Sequence, residues 1–240
     1  MEEVVIARRL TVFISESVKC DTDNRKKLGE AFPGAYIGYD ASDAKMWPIS
    51  EVFPMEDEER WTMTTSQPET KEYMFHFGNR RIDLTSADRK KEEETKVIER
   101  MSKRMTDVLA VLGIDSVRRM AYCPTIAIDD GVTFSSKMFF DDKLSLPEVE
   151  GSKPYVRSLT AIYRINKDVG EKNRAINLSC RLTEGCKRDG KGNVLGYCLI
   201  AEMDINTLIE EDTTYFMGDI RAFASNAWKW SGEIIKLIVR

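Results

Sequence analysis

"EYMFHFGNRRIDL", residues 72–84, decides the fold. Two alternating runs meet at Gly78-Asn79, a residue pair suited to a two-residue hairpin turn. Closing the turn there pairs Phe77 with Arg80, His76 with Arg81, Phe75 with Ile82, Met74 with Asp83 and Tyr73 with Leu84. Side chains alternate across a strand, so Tyr73, Phe75, Ile82 and Leu84 share a core face. A Phe75–Ile82 pair contributes roughly 0.2–1 kcal/mol. His76, the only histidine in the chain, then points away from the core, beside Met74, Arg81 and Asp83. Arg81 there disfavours a charged imidazole. No serine or cysteine in the hairpin is placed to use His76 as a base. A structural role is expected, with a partner contact as the alternative.

Other strands flank the hairpin. Val4, Ile6, Leu10, Val12 and Ile14 share one parity and predict a long first strand, with Arg8 the exception. Residues 20–60 mix turn residues, aromatics and prolines. They predict an irregular excursion with short strands near Ala35–Tyr39 and Pro48–Phe53. A strand is expected over Arg60–Thr65. Further strands are expected over Ser116–Ile128, Pro154–Asn166, Asn173–Leu182 and Val194–Asn206. Val132–Asp142 is expected to hold a short helix or strand.

Two long helices complete the pattern, at about 86–112 and 213–238. Thr85 or Ser86 can cap the first, and Gly113 offers the positive φ that ends it. Val97, Ile98, Met101, Met105, Val108, Leu109 and Leu112 form its apolar stripe. The second starts near Asp212 or Thr213. The expected fold class is α+β, a largely antiparallel sheet packed against these two helices, in a single domain spanning 1–240. A duplicated half is conceivable, although the residues do not visibly repeat.

With 240 residues and a net charge of −4, the balance shows no basic excess of the kind a non-specific nucleic-acid binder needs. No apolar run approaches the ~18 residues of a membrane span. The first residues, with acids at 2 and 3 and arginines at 8 and 9, do not resemble a signal peptide. Five cysteines, an odd and scattered set, suit free thiols in a reducing cytoplasm.

The motifs that imitate chemistry fail on context. "GCKRDGKG", 185–192, lacks the hydroxyl after the lysine and the following helix that a phosphate-binding loop needs, so a hairpin loop is expected. Cys180 and Cys186 lack the close pairs or nearby histidines of a zinc site. The runs Glu69–Lys71 and Glu94–Lys96 lack the partner aspartate or the strand of a metal-dependent nuclease. No serine-nucleophile elbow occurs. No catalytic residue, cofactor or metal is expected.

The last helix carries Phe216, Ile220, Phe223, Ala227, Trp230, Ile234 and Leu237 at steps of four and three, widened by Met217, Ala224, Trp228, Ile235 and Ile238. The simplest reading is a helix lying across its own sheet. The stripe is wide and runs to residue 238, so part of it is expected to meet a partner, in a homodimer through this helix. The candidate contacts are Phe216, Ile220, Phe223, Trp228, Trp230, Ile234 and Leu237.

The order of a long first strand, "FHFGNRRIDL", the helix "EETKVIERMSKRMTDVLAVLGI", the strand "SVRRMAYCPTIAI", more strands and a long final helix resembles the SecB-like group. That group comprises the SecB export chaperone fold and its larger bacterial relatives. The likeness covers about 60–240 and is one of layout. Arg118, Arg119 and Tyr122 stand near the arginine–tyrosine core of those relatives, while Cys123 and Pro124 depart from the polar residues expected after the tyrosine. The resemblance implies a non-enzymatic chaperone or adaptor that holds a polypeptide partner, in some members within toxin–antitoxin or phage-defence modules. The 11 methionines fit either pliable contacts or core filling. Two other classes stay open: an accessory subunit of a larger defence or phage assembly, and an enzyme with a dispersed Asp/Glu/Arg site.

Overall fold

The stretch 72–84 forms a hairpin, displaced by one residue in each strand from the register its turn residues suggest. In this computed structural model, which describes residues 2–39, 61–67, 70–78, 80–86, 93–129, 158–169, 172–208 and 213–239, β4 (Thr70–Gly78) pairs with β5 (Arg81–Ser86). Gly78 lies opposite Arg81, Phe77 opposite Ile82, Phe75 opposite Leu84 and His76 opposite Asp83. The turn therefore lies between Gly78 and Arg81, and Arg80 takes a left-handed φ of 50°. That conformation costs a non-glycine residue on the order of 1–3 kcal/mol. In this register Phe77 is set against Ile82 and stacks on Trp61 with ring centroids 3.7 Å apart. One step in each strand leaves parity unchanged. Tyr73, Phe75, Ile82 and Leu84 do share the core face, joined by Phe77.

β1 (Glu2–Phe13), β2 (Ala35–Tyr39) and β3 (Trp61–Gln67) precede this hairpin; β6 (Ser116–Val117), β7 (Arg119–Asp129), β8 (Ser158–Val169), β9 (Lys172–Arg188), β10 (Val194–Thr207) and β11 (Tyr215–Phe216) follow it. Nine strands form one sheet in the order β2-β3-β4-β5-β1-β7-β10-β9-β8, antiparallel at every pairing. β6 and β11 make a separate pair. The class is mixed α and β with a large antiparallel sheet. Three helices, not two, occur among the described residues: α1 (Thr22–Ala31), α2 (Glu94–Val111) and α3 (Met217–Val239). None is long and apolar enough to cross a membrane.

α1 was not anticipated because it has almost no apolar stripe; Leu28 is its only buried residue. The available signal was Asp21, whose carboxylate caps the helix by accepting from the Asn24 N–H. α2 starts eight residues later than expected. Thr85 and Ser86 stay in β5, opposite Met74 and Tyr73, and so cannot cap it. Its C-terminus follows expectation: Gly113 has φ 71°, and the Ile114 N–H reaches the Leu109 carbonyl at 2.9 Å. α3 starts at Met217 because Tyr215 and Phe216 pair with Val117 and Ser116. The expected strand at Pro48–Phe53, the segment Val132–Asp142, residues 87–92 and Asp212 lie outside the described residues.

The strand order is a palindrome of layout. β1 is followed by the meander β3-β4-β5, pairs with its last strand, and leads to α2. β7 is followed by the meander β8-β9-β10, pairs with its last strand, and leads to α3. β1 and β7 join the two halves antiparallel, as a twofold relation requires. α1 and β2 are an insertion in the first half. Both long helices lie on one face of the sheet and pack against each other. Leu10, Val12, Phe75, Leu84, Tyr122, Leu178 and Ile205 meet Met101, Met105, Ile220, Phe223 and Trp230 in the core between sheet and helices.

Candidate functional site

Arg8, the exception in the pattern of β1, keeps its parity and is buried on the helix side. Its guanidinium donates from Nε to Glu94 Oε1 at 2.7 Å and from Nη2 to Oε2 at 2.6 Å. The Tyr122 hydroxyl donates to the same carboxylate at 2.8 Å. Burial, with the charge of Glu94 second, pushes the Tyr122 pKa well above the ordinary phenol value, so it remains a donor. The triad ties the first residue of α2 to the two central strands. Glu94 acts here as a strut, which accounts for the "ETK" run beginning with it. Tyr122 thus meets an arginine, but it is Arg8. Arg118 is exposed and donates to Ser15 at 3.2 Å.

Arg119 faces the opposite side, where no helix packs among the described residues and one polar row crosses the sheet. Gly38, Thr62, His76, Asp83, Thr11, Ala121, Asn206, Asn177 and Arg164 are successive register partners on β2, β3, β4, β5, β1, β7, β10, β9 and β8. His76 belongs to this row, half-buried and opposite Asp83 rather than Arg81. The charges concentrate beside the β1–β7 seam. Asp83 accepts from Thr11 Oγ1, and from Arg81 Nη2 at 2.7 Å. Arg9 donates to Cys123 Sγ at 3.3 Å, and Cys123 donates to Asp204 at 3.5 Å. Burial pushes the Cys123 thiol up to about 12, despite Arg9, so it stays protonated near neutral pH and is a poor nucleophile. Arg81 and Arg119, the two register partners of Phe13, lie 5.7 and 5.0 Å from its ring centroid.

A cavity of about 580 Å³ lies between α2 and the start of α3, lined by Glu99, Arg100, Ser102, Lys103, Met217 and Arg221. Arg221 spans it to pair with Glu99.

A further exposed feature is apolar. β8 is an edge of the sheet, 12 residues long without proline or glycine, and Ile162 on it is 72% exposed. Next to it the β9–β10 hairpin projects past the described ends of β7 and β8. Val194, Leu195 and Tyr197 are exposed on this arm. Its tip is the expected loop: Asp189 gathers the N–H groups of Lys191 and Asn193, each at 2.8 Å, and Gly192 takes φ 87°. The Asn193 side-chain amide, which also donates to Asp189 at 2.8 Å, is the main cause holding the Asp189 pKa below the usual carboxylate value, with the backbone N–H groups adding to it.

The seven candidate contact residues divide. Ile220, Phe223, Trp230 and Ile234 are buried in this chain's own core, and Trp228 packs partly against it. Only Phe216 and Leu237 are exposed. Intramolecular packing accounts for most of the stripe; of the seven, Leu237 on α3 and Phe216 on β11 remain open to a partner. Among the described residues, Met63, Met101, Met105, Met120 and Met203 are buried in the core, Met217 packs partly against it, and Met74 is exposed. All five cysteines are free. An exposed edge strand able to pair with an extended peptide was expected, but β8 was not singled out as that edge, and the arm and the arginine cluster were missed. Their signals were the apolar "LTAIY" and "VLGY" runs and the arginines on the polar parity of β1, β5 and β7. No family model matches the chain, and no curated protein matches it significantly.

Proposed function

We propose that the protein holds an extended polypeptide at the β8 edge, as a non-enzymatic chaperone or adaptor. The observation that carries this reading is a 12-residue edge strand with Ile162 and Tyr163 exposed on its two faces, next to an arm exposing Leu195 and Tyr197. An edge strand presents backbone donors and acceptors that a second extended chain can satisfy. Main-chain pairing is tolerant of sequence, and the apolar side chains supply anchors. The resemblance in layout to the SecB-like group supports the same reading. The Cys123 thiol, held protonated near neutral pH, speaks against thiol chemistry in the polar cluster. An accessory role in a larger assembly would use the same surface on a folded partner.

The test is fluorescence anisotropy with a labelled protein kept unfolded by reduction and carboxymethylation. Native protein is expected to bind it with a Kd in the micromolar range. Ile162→Asp should weaken binding at least tenfold while the circular dichroism spectrum stays native. Leu237→Asp, on α3, should bind as the native protein does. Absence of binding, or equal loss in both variants, would overturn the reading.

A further inference from the structure

The pattern of β8 is complementary to itself. Among the described residues β8 has one strand neighbour, β9, so alternate backbone N–H and C=O groups along it face outward from the sheet. Its two faces differ. Leu159, Ala161, Tyr163 and Ile165 lie opposite Leu182, Cys180, Leu178 and Ile176 of β9, all buried, and carry the core face to the edge. The cover stops short there: Leu159, Ala161 and Ile165 are only half-buried, and Tyr163 is 37% exposed. On the other face Ile162, between Thr160 and Arg164, is 72% exposed.

From Leu159 to Ile165 the residues run apolar, polar, apolar, apolar, apolar, polar, apolar, the same in both directions about Ile162. A twofold axis normal to the sheet makes two β8 strands antiparallel and keeps each face continuous, so opposed residues share parity. With the axis at Ile162, Ile162 meets its own copy, Leu159 meets Ile165, Ala161 meets Tyr163, and Thr160 meets Arg164. Every apolar residue of the stretch then opposes an apolar one. An axis at Ala161 sets Ile162 against Thr160. One at Tyr163 sets Leu159 against Lys167 and Ile162 against Arg164, and one at Arg164 opposes two guanidinium groups. Apolar cross-strand pairs stabilise a sheet and like charges directly opposite destabilise it, so the pattern selects Ile162.

We propose that β8 pairs antiparallel with β8 of a second copy of this chain, about a twofold axis at Ile162. The nine-stranded sheet then continues across the axis, and Leu159, Ala161 and Ile165 gain the neighbours that an edge lacks. The pairing repeats between chains the antiparallel relation that β1 and β7 make within one. One strand per copy is a small contact, in the class of weak, exchangeable interfaces under roughly 1,200 Å². The pairing follows from the register and does not rest on the polypeptide reading. The two share one edge, so each excludes the other.

Sedimentation equilibrium is expected to show monomer and dimer with a dissociation constant in the micromolar range. Ile162→Asp sets two carboxylates at the axis and should weaken the dimer at least tenfold while the circular dichroism spectrum stays native. Leu237→Asp, on α3, should dimerise as the native protein does. With exposed Cys186 replaced by serine, Ile162→Cys should give a disulfide-linked dimer on mild oxidation, because directly opposed residues have Cα atoms about 4.5–5.5 Å apart. Arg164→Cys, opposite Thr160 in this register, should not. A monomer at every concentration, an undiminished dimer in Ile162→Asp, or equal cross-linking through Arg164→Cys would overturn the pairing. The carboxymethylated unfolded probe should lower the dimer fraction. A dimer that binds no probe sinks the polypeptide reading alone, and a probe-binding protein that stays monomeric sinks the pairing alone.

Discussion

The two halves share one layout but close their edges differently. In the first half the meander strands β3, β4 and β5 are 7, 9 and 6 residues long, and the inserted β2, only 5 residues, covers the outer one. In the second half β8, β9 and β10 run to 12, 17 and 14 residues, and β8 is itself an edge of the sheet. The helices differ as well. α2 is anchored at its first turn by a charged triad, whereas α3 is held by an apolar stripe. One arrangement of strands therefore yields a capped half with a polar latch and an extended half with an apolar hold.

The sharpest way to break the comparison is to remove the latch. Glu94→Ala takes from buried Arg8 the carboxylate to which it donates, and is expected to cost about 3–5 kcal/mol in urea unfolding. Replacing the pair with apolar residues, Arg8→Met with Glu94→Leu, should recover most of that loss. The α3 half should respond in small steps: Ile220→Val is expected to cost about 0.5–1.5 kcal/mol by the same measurement. If both helices responded alike, the contrast between latch and stripe would fall.

The seam can be probed by thiol chemistry. Alkylation at pH 8 is expected to modify exposed Cys186 first, ahead of half-buried Cys123 with its raised pKa and of fully buried Cys180. Cys123 is raised from 9.0 to about 12, so the folded state holds its proton more tightly than the unfolded chain. Its contribution to stability is then fully present below 9.0 and is lost as pH rises towards about 12. Urea unfolding between these limits should show the decline, and Cys123→Ala should flatten it. At the arm, Asp189 has a lowered pKa, so its support of the loop is present above the usual carboxylate value and fades as pH falls through the lowered one. Hydrogen exchange at Lys191 and Asn193 should accelerate there. Smallest of all, Tyr36→Lys on β2 and Ile162→Lys on β8 should each shift stability by no more than about 0.5 kcal/mol. Only the β8 change is expected to weaken polypeptide binding.

Legibility in the sequence followed the strength of the apolar pattern. The hairpin faces could be read because parity survives a shift of one residue in each strand; the turn could not, because Arg80 accepts a conformation that residue type rarely takes. Leu10, Val12 and Ile14 announced β1, and Arg8 stood out as the exception that turned out to be the latch. α1, with Leu28 alone buried, gave no periodicity to detect. The stripe of α3 was visible, but not what it packs on, since composition does not distinguish a chain's own sheet from another chain. The arginine cluster was the least legible. It unites β1, β5 and β7, and only the pairing of distant strands brings Phe13 between Arg81 and Arg119.

The β1–β7 seam also sets an order of events during synthesis. β1 can pair with β5 once residue 86 has emerged, but its other edge waits for β7, whose last paired residue is Asp129. For the intervening stretch of translation the nascent first half carries an open 12-residue strand, a template for the same kind of pairing proposed for β8. The chain would thus need sheltering at one edge while it is being made, and would offer another once complete.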